Sequence, residues 1–236
     1  MKKKFLTAEW RKLILANYKV EPGLLEKYVP ENTSLDLWKG DCFLSLVGLL
    51  FVNTRLKGIK FPFHVRFEEV NLRFYVKHQH EGQWRRGVVF IKEIVPRSML
   101  AILANAIYKE HYEKLKMSHL WDIKPGRQNI QYQWKKGGWN TFRVSGDTRP
   151  KEIPPGSKAD FITERYWGYT RINGQKSAEY RVEHPRWEQY EVKDFHVDVN
   201  FEKVYGPSFG FLKQEQPASV YLLEGSEIIV REGRRF

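Results

Sequence analysis

The sequence predicts an α+β domain dominated by antiparallel strands, with one long outer helix, and three observations predict it. Apolar and polar residues alternate with period two over most of the 236 residues, the pattern of strands that bury one face. Turn signals separate the alternating runs, above all Gly137-Gly138 and Asn173-Gly174; Asn-Gly supplies the positive φ angles that a two-residue hairpin requires. One long segment instead repeats at helical spacing: Leu100, Leu103, Ala104, Ile107 and His111 follow Ser98, a residue able to cap a helix running to about Lys116.

Taken in order, the elements begin with a strand over Lys12–Val20 that sets Leu13, Leu15 and Asn17 on one face and Ile14, Ala16, Tyr18 and Val20 on the other. Glu21-Pro22-Gly23 opens a short helix over Leu24–Tyr28, with proline where its missing N–H costs nothing. Leu35–Trp38 and Cys42–Val52 read as strands joined at Lys39-Gly40-Asp41, and Glu68–Lys77 pairs with Trp84–Val95 before Pro96. Beyond the long helix, Asn129–Trp134 and Trp139–Val144 form one hairpin, and Phe161–Arg171 and Gln175–Glu183 a second. Phe195–Val199 follows, and Val220–Leu223 and Ile228–Arg231 flank Gly225-Ser226. The Pro-rich stretch 149–156 lies between hairpins of similar character and reads as a surface loop, so residues 1–236 are expected to form a single domain.

Composition narrows the functional classes. The hydrophobic fraction of 42% is modest, but 15% of residues are aromatic, and large rings bury enough area to build a core. No run approaches the ~20 apolar residues of a membrane span. Lys2-Lys3-Lys4 imitates the start of a leader, yet Glu9, Arg11 and Lys12 stand where an apolar stretch would follow. With Cys42 the sole cysteine, a cytoplasmic address is expected, and Cys42 reads as a small buried hydrophobe. The net charge of +12 is scattered in short runs such as Arg85-Arg86 and Lys135-Lys136, which suits a solvated surface better than a nucleic-acid stripe. His78 and His80 have strand spacing for a metal clip but no third ligand nearby. Neither a phosphate-cradling glycine loop nor a Gly-x-Ser-x-Gly elbow occurs. No metal or cofactor is expected.

One strand carries chemistry. In Glu69-Val70-Asn71-Leu72-Arg73-Phe74-Tyr75-Val76 the even positions are apolar, and the odd ones are an acid, an amide, a guanidinium and a phenol. Those polar groups suit directional hydrogen bonding rather than mere wetting. In the next strand, alternation sets Val88, Phe90 and Ile94 beside Lys92, with Val89 and Ile91 beside Glu93. A charge among apolar neighbours needs a partner, a ligand or a route to water.

The run Glu69–Val76, followed by Arg86-Gly87-Val88-Val89-Phe90, resembles the central signature of the YqjF-like family of uncharacterised proteins. Thr163-Glu164-Arg165-Tyr166-Trp167-Gly168-Tyr169 and His184-Pro185-Arg186-Trp187 support the resemblance, which extends from about Trp10 to Val230. It implies a fold similar to acetoacetate decarboxylase, a cone-shaped antiparallel β-barrel around a pocket with helices outside. Glu69, Asn71, Arg73 and Tyr75 would then line the pocket, with Glu164 and Tyr166 as secondary ligand-binding candidates and His184 a structural corner. The expected partner is a small anionic organic ligand, its charge on Arg73 and its orientation set by Asn71 and Glu69. An alternative is a Schiff-base lyase acting on a keto acid through Lys92, which would need its pKa lowered by desolvation or a second cation. The decarboxylase pattern places two lysines side by side, and here Glu93 follows Lys92. A second alternative is single-stranded nucleic-acid binding through exposed aromatics, Trp84 or Trp134, beside basic residues.

Overall fold

The computed structural model describes residues 3–62, 64–96, 111–173 and 176–236. Sixteen strands occur among them: β1 (Lys4–Val20), β2 (Ser34–Leu35), β3 (Cys42–Leu56), β4 (Phe67–His80), β5 (Gln83–Val95), β6 (Tyr112–Lys114), β7 (Met117–Lys124) and β8 (Arg127–Lys135), then β9 (Trp139–Gly146), β10 (Lys151–Glu152), β11 (Trp167–Asn173), β12 (Lys176–Glu183), β13 (Glu188–Tyr190), β14 (Val192–Asp198), β15 (Ser219–Arg231) and β16 (Arg234–Arg235). Two short α-helices accompany them, α1 (Lys158–Thr163) and α2 (Phe201–Tyr205).

Hydrogen bonding runs β15-β1-β3-β4-β5-β11-β12 and returns to β15 through Val182↔Val230 and Glu183↔Ile229, a closed circuit of seven strands. Closure removes the open edges that make sheets prone to further pairing. The junction of β5 with β11 is parallel, as is that of β5 with β6, so the ring is mixed where a wholly antiparallel one was expected. A second sheet, β14-β9-β8-β7, packs on the outer face of the ring.

The period-two pattern assigns side chains to two cores. Ile14, Ala16 and Tyr18 of β1 join Val70, Leu72 and Phe74 of β4 between the ring and the second sheet, against Ile130, Tyr132, Trp134 and Phe142. Leu13, Leu15, Phe43, Val47 and Tyr75 face the inside of the ring with Phe161, Ile162 and Trp187. Each fully buried Leu or Phe contributes roughly 1.5–3 kcal/mol relative to exposure, so slipping β4 by one residue would exchange an entire apolar row for charges.

Several expectations are corrected. The segment 161–171 is not one strand: Ser157 Oγ accepts from the Asp160 N–H and starts α1, so Phe161–Thr163 are helical and β11 begins only at Trp167. Tyr112–Lys114, the last part of the anticipated long helix, is strand β6; residues 97–110 of that helix lie outside the described residues, as does hairpin tip 174–175. Gly225-Ser226 is no turn, since β15 runs through it. Gly225 has φ +81°, and a Cβ there would stand 2.0 Å from the Trp10 carbonyl oxygen of the paired strand. The glycine permits close backbone approach. No described helix is long and apolar enough to cross a membrane.

Candidate functional site

The ring surrounds a cavity of about 110 Å³ that opens to solvent at its mouth. Most of its wall is apolar, and much of it aromatic: Trp10 meets Phe51 edge-on at 5.9 Å between centroids and Trp187 at 6.1 Å, while Phe51 stacks on Phe67 at 4.6 Å. Apart from indole N–H groups, the polar side chains of the wall are Glu69, Asn71 and Arg73 of β4, Glu93 of β5, and Thr163 and Arg165 with Tyr112 and Tyr180. A mostly apolar chamber with a few converging polar side chains is the usual form of a small-molecule site.

Strand β4 lies between β3 and β5 in the ring, so both its edges are hydrogen bonded and its inward row is held rigidly. Glu69, Asn71 and Arg73 are all buried, and all three border the cavity. Asn71 donates from Nδ2 to Glu69 Oε1 at 2.9 Å. Its Oδ1 is buried with no hydrogen-bond partner among the described residues, and so is Arg73 Nε. Native interiors rarely leave such atoms unmatched.

The fourth member of the β4 row has a different place. Tyr75 shares a 2.6 Å hydrogen bond with Ser45, which donates to Asn17 Oδ1 at 2.6 Å, and Tyr75 does not border the cavity. Its phenol closes a buried relay between strands. Glu164 and Tyr166 also lie off the wall: the Tyr166 hydroxyl donates to Glu164 at 2.5 Å, and Arg186 stands 3.5 Å from the same carboxylate. Both precede β11, which starts at Trp167. His184 is sandwiched between Tyr166, at 4.7 Å, and the cavity residue Trp187, at 4.3 Å. Burial lowers its pKa, which suits a neutral corner residue.

Lys92 is placed away from the cavity. The β4–β5 register shifts between Leu72↔Lys92 and Arg73↔Phe90, leaving Ile91 as the extra residue of a β-bulge. Past the bulge the facing reverses. Val88 and Phe90 line the cavity before it and Glu93 and Val95 after it, while Lys92 turns to the outer core. There its ammonium donates to the Val204 carbonyl at 2.6 Å and to Glu113 at 2.9 Å. Burial lowers its pKa against the opposing pull of Glu113. No lysine is among the described residues lining the cavity.

Strict alternation missed the other two charged residues of the cavity wall. Glu93 enters through the bulge, which no glycine announces. Arg165 enters because the turn after α1 points it inward. Its Nε donates to the Phe161 carbonyl at 2.6 Å, its Nη1 donates to Asp36 at 2.5 Å, and its guanidinium lies 4.0 Å from the Phe161 ring. Desolvation pulls its pKa down to about 10, opposed by Asp36, so it stays cationic at neutral pH. Burial pushes the Asp36 carboxyl up, but hydrogen bonds and charge from Arg86 and Arg165 outweigh it and hold the group below the usual carboxylate range. Arg165 Nη2 is buried and lacks a hydrogen-bond partner among the described residues.

Other candidates find structural roles. His78 bonds the Asn32 carbonyl at 2.6 Å, and among the described residues no group of three metal-ligating side chains occurs. Cys42 is buried, and burial pushes its thiol up to about 11. Trp134 is fully buried, leaving Trp84, covered by Lys77 at 4.7 Å, as the exposed aromatic of that pair.

Known proteins agree with this architecture. The chain is 23% identical over 181 residues to the uncharacterised protein YqjF of Bacillus subtilis, covering 75% of this chain and 72% of that one. An acetoacetate decarboxylase-like enzyme from Sphingomonas wittichii superimposes with a TM-score of 0.64 at 10% identity, covering 99% of this chain and 94% of its own. The enduracididine biosynthesis enzyme MppR, in a complex with pyruvate, does so with a TM-score of 0.67 at 11% identity, covering 100% and 91%. These likenesses show an acetoacetate-decarboxylase-like, strand-dominated fold. The family model DUF2071, described as an uncharacterised conserved protein, matches residues 7–227, and the chain belongs to that family.

Proposed function

We propose that the cavity holds a small organic carboxylate, with its charge on Arg73 and its apolar tail among Trp10, Phe51 and Phe67. One observation carries this reading: Arg73 borders a mostly apolar chamber with a buried Nε that has no hydrogen-bond partner among the described residues. A guanidinium in that position offers planar, charge-assisted hydrogen bonds that match a carboxylate. Arg165 adds a second cation on the wall, partly balanced by Asp36. The structural neighbour MppR was crystallised with pyruvate, a carboxylate of small size, which supports such a chamber as a carboxylate site in this fold.

Imine chemistry through Lys92 draws no support from the geometry. Its amine is bonded to Val204 and Glu113 on the far side of β5. Binding through the basic surface to single-stranded nucleic acid loses Trp134 to the core.

Titration calorimetry with 4-methylpentanoate and 4-methylpentan-1-ol tests the carboxylate reading on the intact chain. The acid is expected to bind at least about 10-fold more tightly, the scale of one buried charge-assisted contact. Equal affinity for the alcohol would refute it.

A further inference from the structure

We infer that the ligand carries a hydrogen-bond donor, a hydroxyl or an ammonium, on the carbon beside its carboxylate, and that Asn71, oriented by Glu69, selects for it. The inference deepens the carboxylate reading and rests on it.

An amide can present either its oxygen or its nitrogen to a site, and the hydrogen-bond network decides which. Here Asn71 Nδ2 donates to Glu69 Oε1 at 2.9 Å. Turning the amide over would set Asn71 Oδ1 against that carboxyl oxygen, acceptor against acceptor. Glu69 therefore fixes the amide with its oxygen left over. That Oδ1 is buried, belongs to a residue of the cavity wall and has no hydrogen-bond partner among the described residues. It calls for a donor.

Position supplies the rest. Asn71 and Arg73 are two residues apart on one face of β4, so their Cα atoms are about 7 Å apart. A carboxylate and its 2-substituent bridge such a gap with one hydrogen bond at each end. A 2-hydroxy or 2-amino acid would accept from Arg73 and donate to Asn71. A 2-oxo acid would turn a second acceptor toward Asn71 Oδ1 and leave that oxygen unmatched. Sites built to bond a substrate O–H or N–H discriminate strongly against analogues that lack it. Glu93 is paired across the sheet with Asn71 and reaches the same wall.

Titration calorimetry on the full chain separates the possibilities, using 2-hydroxy-4-methylpentanoate, leucine, 4-methyl-2-oxopentanoate and unsubstituted 4-methylpentanoate. The hydroxy acid or leucine is expected to bind at least about 10-fold more tightly than the oxo acid, and the tighter of the two identifies the donor. In Glu69→Gln the amide can turn over, and the ratio is expected to fall to within about 3-fold, with a melting curve confirming a folded variant. An oxo acid that binds wild type as tightly as the hydroxy acid and leucine overturns the donor requirement while leaving the carboxylate anchor standing. Failure of all four acids to bind overturns the anchor itself. An unchanged ratio in folded Glu69→Gln overturns the orienting role of Glu69, and the wild-type comparison decides the donor requirement should that variant fail to fold.

Discussion

Asp36 and Arg165 form a buried ion pair at 2.5 Å across 129 residues of sequence, tying the segment before β3 to the turn after α1 at the edge of the cavity. Arg86 reaches the same carboxylate from β5 at 2.8 Å. The pair holds a cavity cation in place, and removing either partner would strand a charge away from water. Asp36→Asn is expected to cost about 3 kcal/mol at pH 7, the scale for breaking a buried pair, as read by urea denaturation.

That loss should depend on pH with a defined sign. The folded-state pKa of Asp36 is depressed, so its stabilisation is fully present above the unfolded value of about 3.9 and is lost as pH falls through the lower folded value. The stability gap between wild type and Asp36→Asn should therefore be constant from pH 7 to about 5 and narrow below about 4. A gap that widens in acid would contradict the assigned pairing.

Ring closure makes a prediction at Gly87. This residue sits opposite Trp167 in the parallel junction of β5 and β11, and a Cβ would stand 2.5 Å from the Trp167 carbonyl oxygen. Backbone cannot swing aside as a side chain can. Gly87→Ala is expected to destabilise by about 1–3 kcal/mol, seen as a lower midpoint in thermal melting. An unchanged midpoint would contradict so close a junction.

Lys92 yields an expectation of a negative kind. Its ammonium bonds Val204 and Glu113 behind the sheet, so borohydride reduction in the presence of 4-methyl-2-oxopentanoate should leave no adduct at Lys92 by peptide mass spectrometry. Lys92→Met should lower stability while leaving carboxylate affinity within about 2-fold, since the residue sits across the sheet from the cavity and distant sites usually act independently. An adduct at Lys92 would revive imine chemistry.

How far the sequence reveals the site is clearest on β4. Strong alternation between chemical classes makes the inward row Glu69, Asn71, Arg73 legible, because both its neighbours are strands and nothing interrupts the pleat. The same rule fails one strand later. A bulge at Ile91 reverses the facing of every residue beyond it, and bulges without glycine leave no mark on composition, so Lys92 reads as inward and Glu93 as outward. Arg165 was hidden for another reason: the aromatic-rich stretch from Phe161 has strand propensity, and tertiary packing together with the Ser157 cap makes its first residues helical. Serine three residues before Asp160 was the available signal. Ring closure rests on β12 meeting β15 at two residue pairs, a long-range pairing with no local signature.

The most direct test concerns Arg73 itself. Calorimetric titration of 4-methylpentanoate should give at least about 10-fold weaker binding to Arg73→Met than to wild type, while 4-methylpentan-1-ol binds both alike and the melting curve stays cooperative. Equal affinity of the acid for wild type and a folded Arg73→Met would contradict the assignment of the guanidinium as the anchor.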